Sequence, residues 1–202
     1  MESPLLLPRP HRILVVGTSG TGKSTLAGKL SLGLGIRDVE LDDLYWNANW
    51  VPSTNEVFVE KVRRVIEENE TWVIHGNYGQ SRPLTWPRAT ALIWLDYSFP
   101  LTFARATRRT ALRWLRREEL WSARNRESLR KTLFTKDSIL WWVIQTWGRR
   151  RRELPALLAR PEYAHLKVYR FRTPAETEAF LAENLPDPKL TSPRSSKAGS
   201  GR

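Results

Sequence analysis

The chain has 202 residues, 41% of them hydrophobic, which is enough for one α/β domain with a core and too many for a disordered protein. It contains no cysteine, which excludes disulfides, thiolate metal sites and cysteine catalysis. Its net charge of +12 lies mostly within residues 101–152, which hold 15 Lys and Arg but only 4 Asp and Glu. Such a segment attracts nucleotide phosphates, a phosphorylated substrate or a nucleic acid backbone.

No apolar run approaches the ~18–20 residues that a membrane span needs, and the apolar residues 5–7 are too few for a signal-peptide core. We therefore expect a soluble, cytoplasmic protein without membrane contact. From residue 186 onward the composition turns to Ser, Pro, Gly and Lys. This predicts a disordered basic tail over residues 186–202, behind a single domain over residues 1–185.

In chain order the hydrophobic pattern predicts strand 13–16, helix 24–34, strand 38–41, helix 54–68, strands 72–75 and 91–95, helices 100–117 and 137–158, strand 166–169 and helix 174–184. This alternation predicts a parallel sheet with helices on both faces, whose ligands bind at the carboxyl ends of the strands. Gly17, Asp42, His75 and Asp96 lie at or just beyond strand ends, so they can converge on one cleft.

Residues 17–24 match the phosphate-binding pattern G-x-x-x-x-G-K-[ST] at every fixed position, between an apolar strand and an amphipathic helix. The glycines let backbone amides turn toward phosphate oxygens, and the helix adds its positive end. Lys23 is expected to reach the β- and γ-phosphates, and the Ser24 hydroxyl to ligate Mg²⁺. The predicted cofactors are ATP and Mg²⁺. The predicted nucleotide-binding residues of the loop are Gly17, Thr18, Ser19, Gly20, Thr21, Gly22, Lys23, Ser24 and Thr25.

The acidic pair after the second strand is a candidate for acceptor chemistry. Asp42 is placed to accept a proton from a substrate hydroxyl or to hold a water on Mg²⁺, and the alternative is a surface turn acid. Trp46 and Trp50 either stack on a flat or sugar-like substrate or pack in the core.

The third strand ends in His75 and a polar turn, Gly76, Asn77 and Tyr78, which we interpret as substrate-facing. His75 is either a base, or an acceptor from a metal-bound water, or a strand-end histidine that is already hydrogen-bonded within the fold.

Arginines recur along one stripe of the helix predicted at 100–117, namely Arg105, Arg109, Arg113 and Arg116. Guanidinium groups bind phosphate oxygens and neutralise charge as a phosphoryl group moves. A solvated basic face is the alternative for any single arginine. Nucleic-acid binding is possible but less favoured, because few aromatic or base-reading side chains are interleaved.

Together these segments resemble the adenylate-kinase-like P-loop kinases, and most of all the bacterial proteins usually labelled DNA topology modulation proteins. The resemblance rests on residues 17–25, 41–46 with Trp50, 72–78 and 91–96, and on the spacing of Arg105 and Arg109. It covers roughly residues 12–183. It implies a three-layer α/β/α P-loop NTPase fold with a five-stranded parallel sheet in the order 2-3-1-4-5. It also implies an arginine-rich helical lid at roughly residues 113–136.

By this resemblance Arg105 stacks on adenine, Arg109 contacts phosphate, and Arg124 and Arg126 are catalytic phosphate clamps in the lid. The family commonly has Asp where this chain has His75, so either Asp42 supports the metal or Mg²⁺ handling is weaker in this chain.

The leading hypothesis is a nucleoside- or nucleotide-kinase-like phosphotransferase that moves the γ-phosphoryl group of ATP to a hydroxyl or phosphate of a small-molecule or nucleotide acceptor. The alternative is an ATP-binding, nucleic-acid-associated protein without such kinase activity. The identity of the acceptor and the oligomeric state are left open.

Overall fold

A computed structural model describes residues 6–116, 119–120, 122–123, 125–126 and 139–185 of the chain. Its strands are β1 Arg12–Gly17, β2 Arg37–Glu40, β3 Trp72–His75, β4 Ala91–Leu95, β5 Glu119–Leu120, β6 Asn125–Arg126 and β7 Lys167–Phe171. Its α-helices are α1 Lys23–Leu34, α2 Leu41–Tyr45, α3 Asn55–Glu68, α4 Arg82–Thr85, α5 Phe99–Leu115, α6 Ile139–Leu158 and α7 Pro174–Asn184. Single turns of 3-10 helix occupy Ala48–Trp50, Gly79–Ser81 and Pro161–Tyr163.

Five strands form one sheet in the order β2-β3-β1-β4-β7, and every neighbouring pair is parallel. This confirms the predicted order 2-3-1-4-5, with β7 as the fifth strand of the sheet. The strands β5 and β6 form a separate antiparallel hairpin. Because all five strands run the same way, their carboxyl ends lie along one edge of the sheet.

Each face of the sheet has its own core. On one face Ile13 and Val15 pack with Leu30 of α1 and Phe180 of α7. On the other face Leu14 and neighbouring strand residues pack with α3 and α4, and with the second half of α6. The side chains of β1 therefore alternate between two helical layers, as expected for a strand that is buried on both faces. The predicted three-layer α/β/α architecture is confirmed.

Several predicted boundaries shift for physical reasons. The second strand ends at Glu40, and Leu41 begins the short helix α2, whose first turn holds Asp42 where a carboxylate is favoured by the helix dipole. The last strand extends to Phe171 rather than 169. Its extra residue Arg170 interrupts the apolar pattern because its guanidinium binds Asp96.

The helix expected over residues 54–68 has Thr54 as its N-cap, and its hydroxyl accepts from the Val57 amide at 3.4 Å. The hairpin of β5 and β6 was not predicted, because strands of two residues carry no periodicity. The predicted lid over residues 113–136 falls mostly outside the described residues, and the tail over residues 186–202 lies wholly outside them.

None of the helices in the described part of the chain is long and apolar enough to cross a membrane.

Candidate active site

The loop between β1 and α1 is curled around its own Thr18 carbonyl. This oxygen accepts the Thr21 amide at 3.3 Å, the Thr21 hydroxyl at 2.8 Å and the Lys23 ammonium at 3.2 Å. Gly22 caps α1 with a φ of 92°, in the left-handed region that favours glycine. The strand, loop and helix therefore have the arrangement of a P-loop.

The first turn of α1 offers a place for an anion. The amides of Lys23, Ser24 and Thr25 have no acceptor within the helix, as at any helix start. No described side chain caps this end, and no acid lies in the first turn. Backbone amides and the positive end of the helix dipole together stabilise a bound phosphate.

Lys23 lies in an excess of positive charge. Burial, together with the neighbouring Arg150 and Arg109, lowers the pKa of Lys23 from 10.5 to about 7, and Asp42 and Glu40 oppose this only in part. A polyphosphate in the loop would return the ammonium to its charged form. The electrostatics of the site thus favour a highly charged anion.

A cavity of about 440 Å³ opens on the α1 side of the loop, and we call it the nucleotide cavity. It is lined by Gly20–Leu26 and by three arginines one turn apart on α5, Arg105, Arg109 and Arg113. The Arg109 guanidinium donates to the Ser19 hydroxyl at 2.8 Å. Three arginines of the stripe seen in the sequence therefore line the cavity beside the loop, with Arg105 exposed to solvent as well, and Arg116 does not line it.

The Arg105 guanidinium carbon lies 5.6 Å from the centre of the Tyr97 ring, at the rim of the same cavity. Pro174 and Thr177 of α7 also line this cavity. The guanidinium plane of Arg105 is therefore one of the surfaces available to a flat group there.

A second cavity of about 330 Å³ begins at Gly17 on the other face of the sheet, and we call it the acceptor cavity. Its polar lining comes from the turn after β3, from α4 and from α6, and includes Asn77, Tyr78, Arg82 and Arg150. Two cavities thus adjoin the P-loop, one on each face of the sheet.

Asp42 and Tyr78 form a hydrogen-bonded pair at 2.5 Å, in which the phenol donates to Oδ1 of the carboxylate. Burial and the charge of Asp42 raise the pKa of Tyr78, so the phenol stays protonated. Asp42 is also close enough to act electrostatically on Lys23 and Arg150. Its partner Tyr78 lines the acceptor cavity, whereas Asp42 itself is not part of the lining of either cavity.

The turn after β3 holds the start of the P-loop. The Asn77 side chain donates to the Gly17 carbonyl at 2.7 Å and accepts the Gly17 amide at 3.3 Å. Gly76 has a φ of 137°, and a Cβ there would lie 2.7 Å from Cβ of Leu41. Packing against α2 therefore explains this glycine. Asn77 lines the acceptor cavity while its amide group is engaged by the loop, and the substrate role of Gly76, Asn77 and Tyr78 stays a prediction.

His75 and Asp96 do not line either cavity, although both end strands of the sheet. His75 is buried with Nε2 3.3 Å from Oδ1 of Asp38, which favours the interpretation as a partnered strand-end histidine. Asp96 is buried and holds Arg151 at 2.7 Å and Arg170 at 2.6 Å. Each of the two residues is thus bound to structural partners, and their convergence with Gly17 and Asp42 on one cleft stays a prediction.

Trp46 and Trp50 lie beside each other with ring centroids 5.8 Å apart, and neither lines a described cavity. Trp50 has a φ of 61°, which is uncommon for a large residue. Its amide donates at 2.9 Å to the buried Asn125 of the hairpin, whose side chain in turn donates to the Asn47 carbonyl at 3.0 Å. The hairpin thus docks on this segment, and a substrate contact by the two tryptophans stays a prediction.

The sequence did not single out Arg82 and Arg150. Arg150 donates to the Gly17 carbonyl at 3.1 Å, although it is one of four consecutive arginines at 149–152 with the same local signal. Arg82 reaches the acceptor cavity from the first residue of α4. The predicted clamp Arg124 lies outside the described residues, as does the side chain of Arg126.

A Mg²⁺ site fits the residues present without a carboxylate cage. Among the described residues there is no cluster of three or more histidine or acidic side chains able to hold a metal. Ser24 is exposed at the start of α1, and Asp42 lies near Lys23. One or two protein oxygens with waters and phosphate oxygens are the usual Mg²⁺ environment in phosphoryl-transfer sites.

No family model and no curated protein matches the chain. Similar solved structures include shikimate kinase from Bacteroides thetaiotaomicron, with 15% identity over 85% of this chain and 94% of that chain and a TM-score of 0.48. A sugar kinase from Janibacter sp. HTCC2649 has 17% identity over 86% and 91% of the two chains, with a TM-score of 0.48. A gluconokinase from Sinorhizobium meliloti 1021 has 18% identity over 86% and 92%, with a TM-score of 0.46. At these values the likenesses carry no argument about activity, and the resemblance to DNA topology modulation proteins stays a prediction.

Proposed function

We propose that the protein is an ATP-dependent phosphotransferase that moves the γ-phosphoryl group to a small-molecule acceptor. One observation carries the proposal: cavities of about 440 Å³ and 330 Å³ adjoin the same phosphate-binding loop on the two faces of the sheet. An NTPase that acts as a switch and only hydrolyses its nucleotide needs only the cavity that holds the nucleotide. Two sites beside one loop suit a donor and an acceptor that must be brought into line.

In this proposal the nucleotide cavity holds ATP. The loop amides and Lys23 bind the β- and γ-phosphates, Arg109 adds charge near Ser19, and Arg105 stacks on the base. Mg²⁺ on the Ser24 hydroxyl, with Asp42 acting through water, would supply charge neutralisation between the β- and γ-phosphates.

The acceptor hydroxyl would lie next to Asp42. As its oxygen bonds to the γ-phosphorus, the bond to the bridging oxygen breaks and ADP leaves. The Asp42 carboxylate takes the hydroxyl proton, and the Tyr78 phenol fixes the orientation of that carboxylate. Arg150, which is bound to the Gly17 carbonyl, would stabilise the negative charge of the phosphoryl group in flight.

The positions of the arginines separate this proposal from the nucleic-acid alternative. A nucleic-acid-binding surface would need arginines spread over an outer face. Instead Arg105, Arg109 and Arg113 line the nucleotide cavity, Arg150 contacts the P-loop, and Arg151 binds Asp96. Five arginines of the basic segment thus face the nucleotide cavity, the P-loop or Asp96, which supports a small phosphorylated ligand.

Substitution of Lys23 tests the donor half of the proposal. Lys23→Ala is expected to abolish MgATP binding in calorimetry while circular dichroism shows that the fold is retained. Lys167→Ala is the matched control, because its ammonium binds the Leu6 carbonyl at 3.1 Å, away from the loop. MgATP affinity like that of the wild type in Lys23→Ala would refute the role of Lys23.

A screen of ADP release against nucleosides, nucleotides and small polyols tests the acceptor half. Strong stimulation by one class is expected. Uniform inactivity together with tight, salt-sensitive DNA binding would instead support the nucleic-acid alternative.

A further inference from the structure

The acceptor cavity carries positive charge that the protein neutralises only in part. Arg82 and Arg150 both line it, and neither forms an ion pair within the part of the chain that the structure describes. Of the other charged residues in the lining, Glu153 lies 3.8 Å from Arg149, and Arg160 lies 3.8 Å from Glu162. Glu153 and Asp42 offset part of the charge of Arg150. The lining still holds three arginines and one carboxylate, so its net charge is positive.

These two arginines also act on each other. Burial and the like charges of Arg149 and Arg82 lower the pKa of Arg150 to about 10. Two like charges at the wall of one partly enclosed cavity raise its electrostatic energy, and an anion between them would lower it. The cavity is therefore arranged for a negatively charged ligand.

The remaining wall of the cavity is apolar. Its side chains come from the sheet, from α4 and from α6, and include Leu14, Ile74, Trp86, Trp94, Leu154 and Leu157. A volume of about 330 Å³ is at the small end of the range for metabolite sites. A long polyanion cannot enter it, and a polyhydroxylated ligand would leave hydroxyls against apolar walls.

We propose that the acceptor is a small compound with a flat, apolar body that carries the hydroxyl to be phosphorylated and a phosphate or carboxylate group, and that Arg82 holds this anionic group. This inference rests on the proposed function, because it names the class of acceptor for that reaction. Arg150 is already bound to the Gly17 carbonyl and lies beside the transferred group. Arg82 makes no hydrogen bond to the P-loop and lies 5.6 Å from the Trp86 ring, so it is the arginine placed for the acceptor.

Direct binding of simple probes tests this class without knowledge of the natural acceptor. Phenyl phosphate, benzoate and the neutral phenol are titrated by calorimetry into the full chain saturated with MgADP, which fills the P-loop. At least one of the two anions should bind, and phenol should not. Which anion binds more tightly distinguishes a phosphate from a carboxylate.

Three variants assign the effect to Arg82. Arg82→Gln should weaken binding of the anion about tenfold to a hundredfold, the effect of a lost charged hydrogen bond. Arg82→Lys should restore part of the affinity. Arg88→Gln removes the same charge from an exposed residue outside the cavity, and should behave like the wild type.

The outcomes separate this inference from the proposed function. If MgADP does not bind, the proposed function fails, and titration of the unliganded variants still reports on Arg82. The anionic acceptor is refuted if neither anion binds, if phenol binds equally well, or if Arg82→Gln changes the affinity for the anion less than about twofold. In each of these cases the phosphotransferase proposal still stands on the MgATP binding data.

Discussion

The Asn77 side chain, which holds both backbone polar groups of Gly17, gives a quantitative test of how the P-loop is shaped. Asn77→Ala removes hydrogen bonds of 2.7 and 3.3 Å. At about 1 kcal/mol of net stability each, the loss is about 2 kcal/mol. For a chain of this size that corresponds to a decrease in Tm of roughly 4–8 °C.

The same substitution should weaken nucleotide binding, although Asn77 is not expected to touch the nucleotide. Without the hydrogen bonds of Asn77, the P-loop of the free protein samples other conformations. About 1 kcal/mol of the binding free energy of MgATP is then spent on ordering the loop. That amount corresponds to an affinity about fivefold weaker, which is measurable by calorimetry.

Asn69→Ala is the matched control, because its amide makes one hydrogen bond of 2.8 Å to the Val65 carbonyl at the end of α3. It should lower Tm by roughly 2–4 °C and leave MgATP affinity unchanged. A different result would contradict this role: Asn77→Ala lowers Tm as expected but binds MgATP with an affinity within twofold of the wild type. The two hydrogen bonds of Asn77 would then stabilise the edge of the sheet without shaping the P-loop.

Two further predictions concern charged groups. Because burial lowers the pKa of Lys23 to about 7 in the free protein and bound phosphates keep it charged, MgATP affinity should fall by up to about tenfold per pH unit above pH ~7.5. Lys23→Arg, which does not titrate there, should remove this slope, and an equal slope in both proteins would contradict the assignment. Asp96→Asn should lower the free energy of unfolding by about 2–3 kcal/mol, since two partly exposed arginines lose a buried carboxylate. Glu162→Gln, at an exposed ion pair of 3.8 Å, should cost nothing measurable in the same denaturation assay.

The fold could largely be predicted because most strands are recognisable from the hydrophobicity of their own consecutive residues. The strands Trp72–His75 and Ala91–Leu95 are uniformly buried and apolar except for His75, and their observed bounds equal the predicted ones. The position of the P-loop follows in the same way, since its motif needs only a strand before it and a helix after it. Where a strand carries charge, as at Arg170, the local pattern fails, because the partner Asp96 is 74 residues away.

The residues of the candidate site could be predicted from the sequence only where they belong to one continuous motif, as in the P-loop. The sequence predicts a substrate-facing role for Asn77, but it does not reveal the contact of Asn77 with Gly17, 60 residues earlier. The prediction also missed the role of Asn125, whose buried amide connects the hairpin to Trp50. Such side-chain contacts depend on how distant elements dock, and no periodicity of the chain encodes them.

For the arginines at 149–152, too, the sequence does not reveal which residue each side chain contacts, and the structure does. They form an undifferentiated charge run in the sequence, yet consecutive residues on α6 point to different partners because successive side chains on a helix are about 100° apart. Arg150 therefore reaches the Gly17 carbonyl, while Arg151 binds Asp96 at the end of β4. The Asp96 contact anchors α6 to the sheet beside the P-loop, and this anchor sets the position from which Arg150 reaches the phosphate-binding loop. The charge run in the sequence suggests a surface for a polyanion. Because consecutive residues of the helix face different directions, Arg151 instead makes a structural contact and Arg150 a candidate catalytic contact.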